Sequence, residues 1–310
     1  MKRHSLSVTF HGVRGSTPAP GSGTARYGGN TSCVEIRTND QILILDAGTG
    51  IRGLGRKLIS EFGSSPIEAS LLISHTHWDH IQGLPFFAPA YSANNVIRLF
   101  AANGHRPKVV SGLRNQMDAI HFPVCLEQLT GLRPVEEFSS DNVTLGDIQI
   151  SVAALNHPGG CAGFRIDTAA GSVAYLPDHE PTEDDRTLME FARGADLLIL
   201  DTQYTDSEYP AHRGWGHGCL TNSVHFAIGA CARELALFHH DPSHDDDEID
   251  RMVERGRQLS GATGLIVSAA NENRTVTLMN EDRPTGAGPL RVIPAMATAG
   301  LPTVKTVFAV

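Results

Sequence analysis

The 310-residue sequence contains no apolar run near the 18 or more residues that a membrane span requires. Its strongest runs, Leu71-Leu72-Ile73 and Leu197-Leu198-Ile199-Leu200, have the length of strands. Cysteine is scarce: Cys33, Cys125, Cys161, Cys219 and Cys231 are odd in number and scattered, with no Cys-x-x-Cys pair. They read as reduced, mostly buried thiols rather than a disulfide framework. Positive charge is also in short supply. With 25 Lys and Arg against 34 Asp and Glu the net charge is −9, which argues against a broad nucleic-acid footprint. A locally positive site stays open, because bound divalent ions do not enter a sequence charge count. The basic start Met1-Lys2-Arg3-His4 is followed by Ser5-Leu6-Ser7-Val8-Thr9-Phe10 rather than a continuous apolar segment. No secretory signal is read there, and the expected location is the cytoplasm.

What is present is a balance of 41% hydrophobic and 19% charged residues, enough to bury a sizeable core. At about 150 residues per domain the length allows one large domain with an extension. No low-complexity block precedes residue 280 and no solenoid repeat is found. The reading is one domain over residues 1–280 and a Pro/Gly/Ala-rich tail over 281–310, either an edge strap or partly disordered. Strands are expected at 6–10, 33–37, 41–45 (after a turn at Asn39-Asp40), 69–73, 96–101, 148–155, 164–167 and 173–176, with a Gly171 turn. Helices are expected at 51–62, with Ile51, Leu54, Leu58, Ile59 and Phe62 on one face, and at 109–120. A further helix, 182–192, is expected to start from Thr182 as cap, Thr182-x-x-Asp185 resembling a capping box. Strands at 196–200, 235–238 and 265–268 then alternate with helices at 221–232 and 245–259. Strand-rich sequence followed by such alternation predicts mixed sheets covered by helices, an α/β layered fold.

Fifteen histidines are the compositional oddity. The strand ending Leu71-Leu72-Ile73-Ser74 runs into His75-Thr76-His77-Trp78-Asp79-His80, four candidate metal ligands on a short loop held by a buried strand. Imidazoles and a carboxylate suit zinc, and manganese or iron where more oxygen ligands join. By composition alone such a string arises in roughly two chains per thousand, so it carries weight. Two divalent ions need further ligands, and polar residues recur at other strand ends. Strand 148–155 ends in Asn156-His157-Pro158, strand 173–176 in Pro177-Asp178-His179-Glu180, and strand 235–238 in His239-His240-Asp241.

These ordered motifs resemble those of the metallo-β-lactamase superfamily, over residues 10–268. The resemblance implies a four-layer αββα sandwich of two mixed β-sheets, with the metal site on one rim. It implies that His75, His77 and His157 hold one ion, Asp79, His80 and His239 the other, and that Asp178 bridges them. His239 is preferred to His240 as the last ligand because it directly follows its strand, leaving His240 as a support behind the ligands. Asp46, in Leu45-Asp46-Ala47-Gly48, matches the early Asp that supports the ligand loop by hydrogen bonding.

Within the superfamily, the bridging Asp178, the late His and Gly216-His217-Gly218-Cys219 resemble the tRNase Z and phosphoribosyl cyclic phosphodiesterase branch, although Gly218 stands where the segment has a serine. The Gly-rich approach Gly214-Trp215-Gly216-His217 lets backbone come close to an anion, and Arg14 or Arg26 could neutralise a phosphate. No long tRNA-gripping insertion and no cysteine ligand are seen. The expected function is therefore a dinuclear hydrolase of small, including cyclic, phosphodiesters, with a hydroxide held between two ions attacking phosphorus in line. Asp79 orients the nucleophile and His217 serves the leaving oxygen or the phosphate. No membrane partner and no nucleic acid are expected, and a homodimer is compatible. The alternatives are a carboxyl-ester, lactone or thioester hydrolase and a non-catalytic sensing module.

Overall fold

The structure, a computed structural model, describes residues 5–38, 41–138, 140–182 and 184–279. The first half contributes β1 (Ser5–Gly12), β2 (Cys33–Arg37), β3 (Ile42–Leu45), α1 (Ile51–Phe62), β4 (Glu68–Ile73), α2 (Trp78–Ile81), β5 (Val96–Ala101), α3 (Arg106–Gln116) and β6 (Glu136–Glu137). The second half contributes β7 (Asn142–Leu145), β8 (Ile148–Leu155), β9 (Cys161–Asp167), β10 (Ser172–Leu176), α4 (Arg186–Phe191), β11 (Leu197–Asp201), α5 (Tyr209–His212), α6 (Leu220–Gly229), β12 (Glu234–Phe238), α7 (Asp246–Ser260), β13 (Ile266–Ala269) and β14 (Thr275–Met279). Two seven-stranded sheets result, ordered β14-β1-β2-β3-β4-β5-β6 and β13-β12-β11-β10-β9-β8-β7. Both are mixed. The first is antiparallel from β14 to β3 and parallel from β3 to β6; the second is antiparallel from β7 to β10 and parallel onward to β13.

Successive strand residues point to opposite faces, and here both faces are covered, which is why the central strands read as unbroken apolar runs. In β10 to β12, Val173, Tyr175, Leu197, Ile199, Ala236 and Phe238 meet Val8, Phe10, Val34, Ile36, Leu43 and Leu45 of the first sheet in a central core. The alternate residues Ala174, Leu176, Leu198, Leu200, Leu235 and Leu237 face outward onto Leu220, Val224, Phe226, Ile249 and Met252 of α6 and α7. On the first sheet, Ile44, Leu71 and Ile73 pack against Ile51, Leu54 and Leu58 of α1 and Val109 and Leu113 of α3. The layers are therefore helix, sheet, sheet, helix.

Several boundaries differ from the sequence reading. α3 begins a turn earlier than expected, at Arg106, with Pro107 in its first turn, and ends at Gln116. Thr182 does not cap α4. Its amide and hydroxyl both donate to the Asp185 carboxylate, and α4 starts only at Arg186. Ile59 of α1 is exposed rather than on the buried face, and β9 reaches back to Cys161. β6, β7 and β14 were not anticipated. The Asn39-Asp40 turn and the tail over 281–310 lie outside the described residues. No helix among the described residues is long and apolar enough to cross a membrane.

Candidate metal centre and catalytic cleft

Five strands of the two sheets, β4, β8, β10, β11 and β12, end at one rim and each delivers a polar residue there, the usual place for a ligand site in open α/β sheets. β4 runs into residues 74–80, β8 into His157, β10 into Asp178, β11 ends in Asp201 and β12 runs into His239. The ligand atoms of His75, His77, His157 and Asp178 lie within 4.8 Å of one another, and so do those of Asp79, His80, Asp178 and His239. Asp178 belongs to both groups with a different oxygen in each. Its Oδ2 lies 3.5 Å from His75 Nε2 and 3.6 Å from His157 Nε2, and its Oδ1 lies 2.9 Å from His80 Nε2 and 3.3 Å from His239 Nε2. His77 Nδ1 approaches His157 Nε2 to 3.0 Å, and Asp79 Oδ2 lies 3.1 Å from His239 Nε2.

The second ring nitrogens of four of the five clustered histidines, His75, His80, His157 and His239, are held from behind. His80 Nδ1 donates to Asp46 Oδ2 at 2.8 Å, and Asp46 also accepts from the Ser74 amide at 2.7 Å, the Ser74 hydroxyl at 2.8 Å and the Tyr175 hydroxyl at 2.9 Å. His75 Nδ1 meets Ser74 Oγ at 3.1 Å, His157 Nδ1 donates to the Gly216 carbonyl at 3.0 Å, and His239 Nδ1 donates to Gln203 Oε1 at 3.0 Å. Such bonds set the tautomer and aim the other nitrogen inward. Two close approaches need glycine: a Cβ at Gly15 would meet the His239 ring at 2.4 Å, and one at Gly216 would meet His157 Nδ1 at 2.5 Å.

The electrostatics suit a cation. His75 Nε2 and Asp178 Oδ1 are buried without a hydrogen-bond partner, a costly state that a bound ion would relieve. Burial drives His75 well below the usual histidine range and brings His157 down to about 4, leaving neutral imidazoles with lone pairs to donate. Burial acts the same way on His239, but Asp178 and Asp79 outweigh it and lift that ring to about 9. Burial opposes ionisation of Asp178 too, yet His239, His80 and His75 hold its carboxyl well below the usual range. Histidine and aspartate clusters fit for metal therefore face each other across one shared carboxylate.

The centre floors a cleft of about 440 Å3 lined by Ser16, Thr76, His77, Trp78, Asp79, Asp178, His217 and His239. Asp79 Oδ2 is fixed by the amide of Ser16 at 2.8 Å, and Ser16 takes a left-handed φ of 59° to reach it. His217 lies beside the cluster, its ring stacked on that of His239 with centroids 4.8 Å apart. Its Nδ1 donates to Asp201 Oδ2 at 2.7 Å. Asp201, His217 and His239 are also close enough to share an ion. Both Asp201 oxygens, however, already accept from the amides of His179, Gln203 and Gly218 as well as from His217. Glu180 clasps the loop before His217, accepting from the amides of Gly214 and Gly216 and from the Tyr209 hydroxyl.

The seven side chains expected to hold metal, and His217, all converge here. Other expectations fail. Arg14 is fully buried and donates to the carbonyls of Gly28, Asp241 and His244, stapling the N-terminal segment to the loop after β12. Arg26 pairs with Asp247 and Asp250 of α7. Neither reaches the cleft. His240 supports no ligand: its Nε2 donates to the Ala270 carbonyl at 2.9 Å, and burial lowers it to about 3. Sequence reasoning missed Asp201, although it ends its strand much as Asp178 follows β10. It also missed Glu180, Gln203 and Ser16, which carry no comparable signal.

A family profile described as a beta-lactamase superfamily domain matches residues 41–240. A ribonuclease Z of Thermoplasma acidophilum is 23% identical over 295 residues, covering 79% of this chain and 89% of the relative. Among solved structures, the metallo-beta-lactamase fold protein YhfI from Bacillus subtilis superposes with a TM-score of 0.67 at 19% identity, covering 88% of this chain and 99% of that one. A diphosphatase from the PhnP family gives a TM-score of 0.63 at 18% identity, with 87% and 97% covered.

Proposed function

Because the chain belongs to the metallo-β-lactamase superfamily, we propose that it is a dinuclear, metal-dependent hydrolase of small phosphodiesters. In this reading His75, His77, His157 and Asp178 hold one ion, and Asp79, His80, Asp178 and His239 the other; zinc suits the donors best, with manganese or iron as alternatives. The observation that carries the proposal is Asp178, one oxygen turned to each set of histidines, beside a cleft-lining His217 aligned by a buried carboxylate. Likeness to a ribonuclease and a diphosphatase supports phosphate chemistry.

Two divalent ions in these positions would lower the pKa of water and neutralise charge on a phosphodiester. The protein's own part is positioning. Asp79, tied to the Ser16 amide, accepts a hydrogen bond from the attacking water and turns its lone pair toward phosphorus. With both ring nitrogens protonated, His217 donates through Nδ1 to Asp201 and passes its Nε2 proton to the departing oxygen, which leaves the neutral Nδ1–H form. Asp201 therefore selects the tautomer and holds the ring, as the carboxylate of a His–Asp pair does. The net charge of −9 disfavours a long polyanion, so the substrate is a small diester rather than tRNA.

The test is a panel on purified protein reconstituted with zinc or manganese. It should bind about two ions per chain and cleave bis-p-nitrophenyl phosphate and small cyclic diesters in preference to p-nitrophenyl acetate, lactones or precursor tRNA. Faster turnover of the carboxyl ester or lactone would select the ester-hydrolase reading, and comparable rates on precursor tRNA would overturn the size argument.

A further inference from the structure

The chain has two tryptophans, and both are exposed, Trp78 at 75% and Trp215 at 60%. Large aromatic side chains usually spend their apolar area in the core. Trp215 is accounted for in part, since its ring packs edge-on against His212 with centroids 5.0 Å apart. Trp78 has no such explanation. Its ring makes no aromatic or cation–π contact, and its indole N–H has no hydrogen-bond partner, among the described residues.

Its position is constrained nonetheless. Trp78 stands between His77 and Asp79, opens α2, and lines the cleft beside Asp178 and His217. Its backbone carbonyl accepts from the Gln82 amide at 2.7 Å, so the residue that presents the ring is tied into the turn that carries the clustered ligands. Every other cleft-lining side chain is polar: Ser16, Thr76, His77, Asp79, Asp178, His217 and His239. A volume of about 440 Å3 has room for more than a dialkyl phosphate, and falls in the range that holds small organic ligands. A polar floor with a single aromatic wall sorts a ligand by its parts, with phosphate toward Asp178 and a flat apolar group against the wall.

We infer that Trp78 is a stacking platform, and that the substrate is a phosphodiester in which one ester group carries a planar aromatic or heteroaromatic ring. The inference rests on the phosphodiester reading and narrows it. Stacking of this kind tolerates different rings, because every flat π-system presents the same face. It therefore sets a class of substrate rather than one compound.

The experiment uses the metal-reconstituted full chain and two monoester probes of equal charge, phenyl phosphate and methyl phosphate. In a Trp215→Phe background the remaining indole reports on Trp78 alone, and the same titrations are repeated in the wild type. Phenyl phosphate should quench the fluorescence and, by titration calorimetry, which also reads the variants that lack Trp78, bind about 5–100-fold more tightly than methyl phosphate, the span expected for one stacked ring. Trp78→Ala should reduce that preference to less than about twofold, and Trp78→Phe should restore most of it. Equal affinities for the two probes, or a preference that survives Trp78→Ala, would overturn the platform. Hydrolysis of dialkyl phosphates without any ring preference would leave the phosphodiester reading standing and remove this inference. Ring-dependent quenching with no diester hydrolysed would do the reverse.

Discussion

Asp201 and His217 act as one unit. The carboxylate is fully buried, its two oxygens are taken up by three backbone amides and the imidazole, and the imidazole in turn lies flat on His239. Removing either partner therefore removes the same capability. His217→Ala should lose about 10²–10⁴-fold in kcat/KM on diesters with poor leaving groups, with full metal content retained. The loss should be smaller with p-nitrophenolate, which departs without needing a proton. Asp201→Asn, which keeps the shape but upsets the tautomer, should fall in the same range, and the double variant should be within about threefold of His217→Ala. Additive losses in that cycle, measured by steady-state kinetics beside metal analysis, would separate the two residues.

At the scale of elements, β1, β2 and α1 are pinned by a buried carboxylate that does not line the cleft. Glu35 of β2 accepts from His11 of β1 at 2.8 Å and from Lys57 of α1 at 3.0 Å, and it pairs with Arg37. Burial alone would raise its carboxyl, but these partners outweigh burial and hold it at about 2. A carboxyl depressed on folding stabilises the protein above its unfolded pKa, near 4.5, and that contribution disappears as pH falls from there toward about 2. The shift corresponds to about 3 kcal/mol. Urea unfolding of chelator-treated protein from pH 7 to pH 2.5 should show Glu35→Gln less stable at pH 7 and flatter below pH 4.5; parallel curves would deny Glu35 this role. Elements with strong local signals were legible in the sequence. A run such as Leu71-Leu72-Ile73 stops where a polar residue must face the rim, which is why the histidines and Asp178 could be placed without coordinates. β14 could not, because its alternating Thr275–Met279 is meaningful only beside β1, at the opposite end of the chain. The directions of Arg14 and Arg26 were equally out of reach, being set by the 241–250 region, more than two hundred residues away. Thr182 misled because only half of the capping box forms: the Asp185 carboxylate accepts from the Thr182 amide, but the Thr182 hydroxyl donates to that carboxylate instead of accepting from the Asp185 amide.

At the scale of the whole molecule, the candidate centre is a seam. The loop after β4 supplies His75, His77, Asp79 and His80 from the first sheet, while β8, β10 and β12 lead to His157, Asp178 and His239 from the second. Ions that bind only when both sheets are in place add their binding free energy to folding, about 4 kcal/mol at a thousandfold excess over Kd. Chelation should therefore lower Tm by on the order of 10 °C, and calorimetry showing the same Tm with and without chelator would contradict a seam held by metal. The order of the ligands along the chain adds a consequence for biosynthesis. A polypeptide emerging from the ribosome displays residues 75–80 early and His239 last, so for most of its synthesis it carries only part of a chelating set. Full affinity waits for the second sheet to dock, and the choice among competing metals falls to the finished fold rather than to the growing chain.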